Sequence, residues 1–386
     1  MMRVLYDHQA FTLQDFGGVS RYHHELLRHA SWQSELAVAL SNNLYLRDQQ
    51  YPRYRTFLPN SSLPARWRVI QFFNDRASRR ALRRAAYDVF HPTLTDDDYF
   101  LDLLPPGRPL VITIHDMIPA LFPAHYPDRD DQTLARIAQR ADRIIAVSEH
   151  TRADVLRLLP VASEKVAVVY HGYAEPAAAS GPSALPLPER YVLFTGSRAL
   201  YKNFGCLVKA LAMLPATVAQ GMHLVCAGGG SFTAEEQALL RQAGWAERAH
   251  QFGPVSDVQL THLYRHARAF IFPSCYEGFG LPILEAFSQQ CPVVLSQASC
   301  FPEIAREAAL YFPPDQPAVL AEQLARLLTD ARLRRELVHL GQLRLLDFTW
   351  HNTARRTRAV YEAACAHQGN LTVRPAPTTT VSALEL

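Results

Sequence analysis

Short apolar, β-branched runs recur along the first half of the chain, separated by longer stretches with helical spacing. Runs at Arg3–Tyr6, Leu36–Leu40, Val89–Phe90, Leu110–Ile114, Arg143–Val147 and Val166–Val169 predict strands. The second half repeats the alternation at Tyr191–Thr195, His223–Ala227, Ala269–Phe272 and Val293–Leu295. Helices are predicted between them, over 18–29, 68–86, 203–213, 233–243 and 317–329. Parallel strands need long crossovers, usually helical, so this alternation predicts an α/β protein with parallel sheets. Ala174 to Pro186 breaks the pattern, because its three prolines suit neither helix nor strand. It predicts a linker over 174–188 between a domain at 1–173 and another at 189–347. The Thr-, Pro- and Ala-rich stretch 368–386 reads as a disordered tail.

Composition sharpens this only in places. A chain of 386 residues that is 48% hydrophobic can bury a core in each of two domains. No apolar run approaches the ~20 residues that span a bilayer. The N-terminus reads straight into a strand without a leader pattern, so a cytoplasmic location is expected. A net charge of +3 is too small to imply a nucleic-acid partner. Lysine occurs only at Lys165, Lys202 and Lys209, so each lysine is a candidate for a site needing a compact ammonium. The six cysteines form no C-x-x-C pair and read as buried small residues, with a nucleophilic Cys275 as the sharper alternative.

Ligands of open parallel sheets bind beyond the carboxyl ends of the strands. In the first half those ends carry His8, His91, His115-Asp116 and His171; in the second, Gly196-Ser197-Arg198, Gly228-Gly229-Gly230 and Pro273-Ser274. Each histidine has a structural alternative. None shows close metal-ligand spacing, and no D-x-D triplet ends a strand of the second half, so no metal is expected. Three segments stand out. Phe16-Gly17-Gly18-Val19-Ser20-Arg21-Tyr22 opens a helix after the first strand, where backbone amides favour anions; it is not the dinucleotide fingerprint G-x-G-x-x-G. Gly196-Ser197-Arg198…Lys202-Asn203 offers two cations for a phosphate leaving group. Glu277-Gly278-Phe279-Gly280-Leu281-Pro282-Ile283-Leu284-Glu285 combines a glycine-opened helix start with two carboxylates suited to sugar hydroxyls.

The last segment resembles the E-x7-E motif of glycosyltransferase family 4, of GT-B fold. The resemblance extends in order through Gly17–Tyr22, Phe90-His91-Pro92-Thr93, His115–Pro119, Val147-Ser148-Glu149 and Gly196–Asn203, and is similar to the bacterial mannosyltransferase-type branch that builds surface polysaccharides. It implies two Rossmann-like domains facing a cleft, and a final helix over 348–367 returning to the first. It implies a retaining, metal-independent transfer of a hexose from a nucleotide-sugar, GDP-mannose first, to a lipid-linked or glycan acceptor. His115, Arg198, Lys202 and Glu277 would be catalytic. Gly17, Gly18, Ser197, Gly278, Phe279, Gly280, Leu281 and Glu285 would complete the donor site, Glu285 on the ribose diol. Arg21, His91 and Asp116 would lie on the acceptor side. A sugar-nucleotide epimerase of the same architecture and a non-catalytic membrane binder remain as alternatives. The latter draws on residues 66–84, where seven arginines interleave with Trp67, Phe72 and Phe73. Those residues are expected to meet an anionic membrane, unless the aromatics pack inward on a salt-bridged helix.

Overall fold

The computed structural model describes residues 1–47, 54–58, 66–126, 131–174 and 185–372. Most of the expected linker and the end of the expected tail lie outside them.

The first domain holds β1 (Arg3–Tyr6), β2 (Gln33–Leu36) and β3 (Val89–His91) in the order β2-β1-β3. Beside them lie β4 (Val111–Ile114), β5 (Arg143–Ala146) and β6 (Val166–Val168) in the order β4-β5-β6. A bridge between Phe90 and Leu110 joins the two groups. The second domain is one sheet in the order β12-β11-β10-β7-β8-β9. Its strands are β7 (Tyr191–Thr195), β8 (His223–Ala227), β9 (Ala249–Phe252), β10 (Ala269–Phe272), β11 (Val293–Ser296) and β12 (Ala309–Phe312). All the strand pairings are parallel. The strand order reverses between β7 and β10, so a ligand crevice opens beyond their carboxyl ends.

The expected strand at Leu36–Leu40 lies earlier, at Gln33–Leu36. Its polar residues pair along a sheet edge, while Ala37 and Val38 turn inward and Asn74 accepts from the amides of Ala39 and Leu40, each at 2.8 Å. β9 and β12 were not expected. Both are edge strands, held by one neighbour each, and Ala249-His250-Gln251-Phe252 has no continuous apolar run.

Each sheet is covered on both faces. Val192, Phe194, Leu207 and Leu324 fill one side of the second sheet, and Leu193, Phe270, Ile283 and Phe301 the other. The final helix spans Trp350–Thr372 and packs Trp350, Ala354, Tyr361 and Ala364 against Val4, Tyr6 and Tyr22 of the first domain. It outruns the expected start of the tail at 368, no proline intervening before Pro375. The two domains also share cores: Tyr276 packs among first-domain residues, and Val147 among second-domain ones.

Candidate active site

The crevice between β7 and β10 is built by two loops tied to each other. Asn203 adopts a left-handed conformation (φ 57°), which an asparagine tolerates, and its side chain donates to the carbonyls of Pro273 (3.1 Å) and Pro314 (2.8 Å). The Cys275 amide donates to the Tyr201 carbonyl at 2.7 Å. These ties bring Lys202 to Glu277: Nζ lies 2.5 Å from Oε1, over the rings of Tyr201 (5.3 Å) and Phe272 (5.5 Å). Both side chains are largely buried.

Arg198 points elsewhere. Its Nε donates to Glu236 at 2.9 Å, and its Nη atoms donate to the carbonyls of Gly228, Gly229, Gly230 and Ser231 at 2.9–3.3 Å. The guanidinium also stacks on Phe232 at 4.9 Å, and the side chain is 3% exposed. The two cations expected to converge therefore have different partners, since the glycine loop after β8 turns its carbonyls toward the arginine. Ser197 is exposed at the end of β7.

Gly278 joins the two domains. Its carbonyl accepts from Ser148 Oγ (2.7 Å) and Thr151 Oγ1 (3.1 Å). A Cβ on Gly278 would lie 1.7 Å from the His115 carbonyl oxygen and 3.0 Å from Asp116 Cβ. Glycine is required here for close approach. At Gly280 it is required for conformation: φ is +88°, and the residue caps the helix Leu281–Ser288, with Pro282 in its first turn. Phe279 is buried, its ring edge-on to His171 at 4.8 Å. Tyr276 donates to Asp154 at 2.8 Å. Glu303 accepts from the amides of Glu149 (2.7 Å) and His150 (3.2 Å), capping a first-domain helix from the second domain. Sequence reasoning gave no role to Thr151, Tyr276 or Glu303, whose partners lie more than 120 residues away. Ser148 stood in a matched motif, also without a role.

Gly17 and Gly18 open the helix Gly18–Arg28, whose Ser20 amide is capped by Gln14 Oε1 at 3.1 Å. From the first turn of that helix, Arg21 reaches the other domain and pairs with Glu285 at 3.2 Å. Arg21 was expected on the acceptor side; the opposite charge of Glu285 draws it to the donor domain instead. Asp116 accepts from the Ile118 amide at 2.9 Å and so holds its own turn. His91 does not face the cleft. It is fully buried, with Nδ1 2.6 Å from Tyr361 OH and Nε2 2.9 Å from Thr113 Oγ1, because the final helix closes over it. Burial and Asp315 push the Cys275 thiol up, the wrong direction for a nucleophile.

His115 stacks on His171 with centroids 5.5 Å apart, and Tyr22 meets both rings edge-on. Burial lowers His115 to about 4, and burial with the neighbouring His115 lowers His91 to about 3. His171 lies well below its usual value for the same two reasons. These rings stay neutral when folded, while the unfolded chain gains protons on them below pH ~6.5. Stability is thus held above that pH and lost as pH falls toward 4. Thermal melting should show Tm level from pH 8 to 7 and falling steeply between pH 6.5 and 4. A Tm level across the acidic range would contradict the burial of this cluster.

The fold and these loops define a glycosyltransferase. The chain belongs to family 4 of GT-B fold: residues 16–174 match the family model described as Glycosyltransferase Family 4, and residues 178–343 the one described as Glycosyl transferases group 1. It is 29% identical to O-antigen chain mannosyltransferase B of Escherichia coli over 65% of this chain and 70% of that protein. It is 28% identical to an MMP alpha-(1->4)-mannosyltransferase of Mycolicibacterium hassiacum over 76% and 75%. Among solved structures, Anabaena Alr3699/HepE in complex with UDP and glucose superposes with a TM-score of 0.70 at 18% identity, over 94% of this chain and all of that one.

Proposed function

We propose that this enzyme is a retaining mannosyltransferase that uses GDP-mannose, needs no metal, and extends a lipid-linked or glycan acceptor in bacterial surface polysaccharide synthesis. The observation that carries the reading is the Lys202–Glu277 pair at the point where the strand order reverses. One ammonium there meets the charge of a departing diphosphate, and one carboxylate accepts from sugar hydroxyls. Glu285 takes the ribose diol, and the amides of Phe279, Gly280 and Leu281 join Lys202 on the diphosphate, beside Ser197, Gly17 and Gly18. Arg198 supports the site by bracing the loop after β8, and reaches the diphosphate only by exchanging those contacts.

The bond from the sugar's anomeric carbon to the diphosphate oxygen breaks through an oxocarbenium-like state. The acceptor oxygen bonds to that carbon from the same face, and its proton passes to the departing phosphate. Neutral His115, with Asp116 next to it in the chain, lines the sugar's side of the cleft. The donor choice draws on the mannosyltransferase relatives. Purified enzyme with GDP-mannose, UDP-glucose or UDP-galactose, a lipid-linked glycan acceptor and excess EDTA tests the reading. An α-mannoside formed from GDP-mannose is the expected product. Turnover only after Mg²⁺ or Mn²⁺ is restored, or an inverted linkage, would overturn it.

The same reading includes docking on an anionic membrane. The helix Arg66–Arg84 leaves Trp67, Phe72 and Phe73 49%, 57% and 49% exposed, so its aromatics do not pack inward as a salt-bridged surface helix would have them. Arg76, Arg80, Arg83 and Arg84 are exposed beside them. No described helix is long and apolar enough to cross a membrane. Anionic lipid attracts each such arginine by about 1 kcal/mol. In flotation, the enzyme should rise with anionic but not neutral vesicles, and less so in high salt or after R80E, R83E and R84E. Equal absence from both vesicle types would end the docking idea.

A further inference from the structure

Glu285 is occupied from two sides. Tyr264, buried and held by Thr195 at 3.2 Å, donates to Oε2 at 3.2 Å from within its own domain. Arg21 arrives from the other domain and donates to Oε1 at 3.2 Å, with a second donation to the Ala174 carbonyl at 3.3 Å. The remaining space among Arg21, Tyr173, Asp257, Tyr264, Glu285 and Gln289 is about 10 Å³. That volume admits one water at most.

We propose that Arg21 is a displaceable plug in the nucleoside end of the donor site, so that nucleotide binding begins with its release from Glu285. The inference rests on the proposed assignment of Glu285 to the ribose diol. A vicinal diol presents two donors, and a carboxylate receives both only where lone pairs of its oxygens face outward unclaimed. Tyr264 belongs to the wall that carries Glu285 and leaves one side of the carboxylate facing outward. Arg21 fills that side, and it is the partner that separation of the domains would remove. The void leaves no room for a ribose beside the closed pair, so plug and nucleoside exclude each other.

Charge keeps the plug seated in the empty enzyme. Burial pushes the Glu285 carboxyl up, and Arg21 opposes it. Taking the guanidinium away would leave a buried carboxylate uncompensated in the closed form. The empty closed form is then disfavoured, and more of the population presents Glu285 to solvent. A ligand that binds only this competent fraction gains apparent affinity as the fraction grows.

Calorimetric titration of the full chain with GDP and with UDP tests this on the wild type, R21Q, R21K, E285Q and the R21Q/E285Q pair. R21Q should tighten the better nucleotide by about three- to tenfold, as a competent fraction of a third to a tenth rises toward one. R21K keeps the charge and should bind like wild type. E285Q should weaken binding, and R21Q should bring no gain on top of it. Unchanged or weaker binding by R21Q, with E285Q still weakened, would overturn the plug and leave the ribose assignment standing. Unchanged binding by E285Q would overturn both. Thermal melting of each variant separates misfolding from either result, and R21K keeps the test decisive if R21Q is unstable: weaker binding by folded R21K makes Arg21 a ligand of the nucleotide and overturns the plug.

Discussion

Gly278→Ala should lower kcat by about 10²-fold or more while both domains stay folded, the loss expected when reacting groups are misplaced by an ångström. The added methyl would sit 1.7 Å from the His115 carbonyl oxygen, and that atom is backbone at the end of β4. No rotamer change relieves the clash, so the domains must part locally. Parting also stretches the donations from Ser148 and Thr151 to the Gly278 carbonyl. Glu277, the neighbour in sequence, is then displaced relative to the His115 loop. Gly278 and His115 both lie in loops rather than in a helix or strand, so circular dichroism should change little even if the shared core residues Tyr276 and Val147 shift with the seam. Gly253→Ala is the control, because a Cβ there meets nothing within 4 Å. Turnover within twofold of wild type in Gly278→Ala would show that the clasp is not needed for catalysis.

The parts legible in the sequence and those that were not divide along a physical line. Central strands such as Tyr191–Thr195 and Ala269–Phe272 are buried along their whole length, so their apolar runs announce them. Edge strands β2, β9 and β12 are only partly buried and depend on one neighbour each, and a polar run such as Gln33–Glu35 carries no such signal. The loops after β7 and β10 were legible because glycines, a rare lysine and carboxylates stand at strand ends. The aim of individual side chains was not. Arg198 and His91 occupy expected positions in the chain, yet Glu236 with the glycine loop claims the first, and Tyr361 from the final helix claims the second. Such partners are set by packing over tens to hundreds of residues. The Arg21–Glu285 pair is of the same kind, joining residues 264 positions apart.

Lys202→Ala should lower kcat by about 10²–10³-fold with both domains still folded, the scale seen when one preorganised charge-stabilising donor is lost. Lys202 lies outside both second-domain cores and follows an exposed turn, so its removal leaves no cavity in them. Among the described residues its ammonium pairs with Glu277 at 2.5 Å, and the rings of Tyr201 and Phe272 shield it from water. A charge held in such a setting meets a departing diphosphate without solvent reorganisation. The variant also leaves Glu277 without its cation, which repels the donor's phosphates, so KM should rise as well. Lys202→Arg discriminates between charge alone and a compact ammonium: the longer planar fork keeps the charge but does not fit the same contact with Glu277, so partial recovery is expected. Arg198→Ala should behave differently. It strips donors from Glu236 and four loop carbonyls, so Tm should fall along with turnover. Near-wild-type turnover in Lys202→Ala would remove the leaving-group role from this pair, and the proposed mechanism with it.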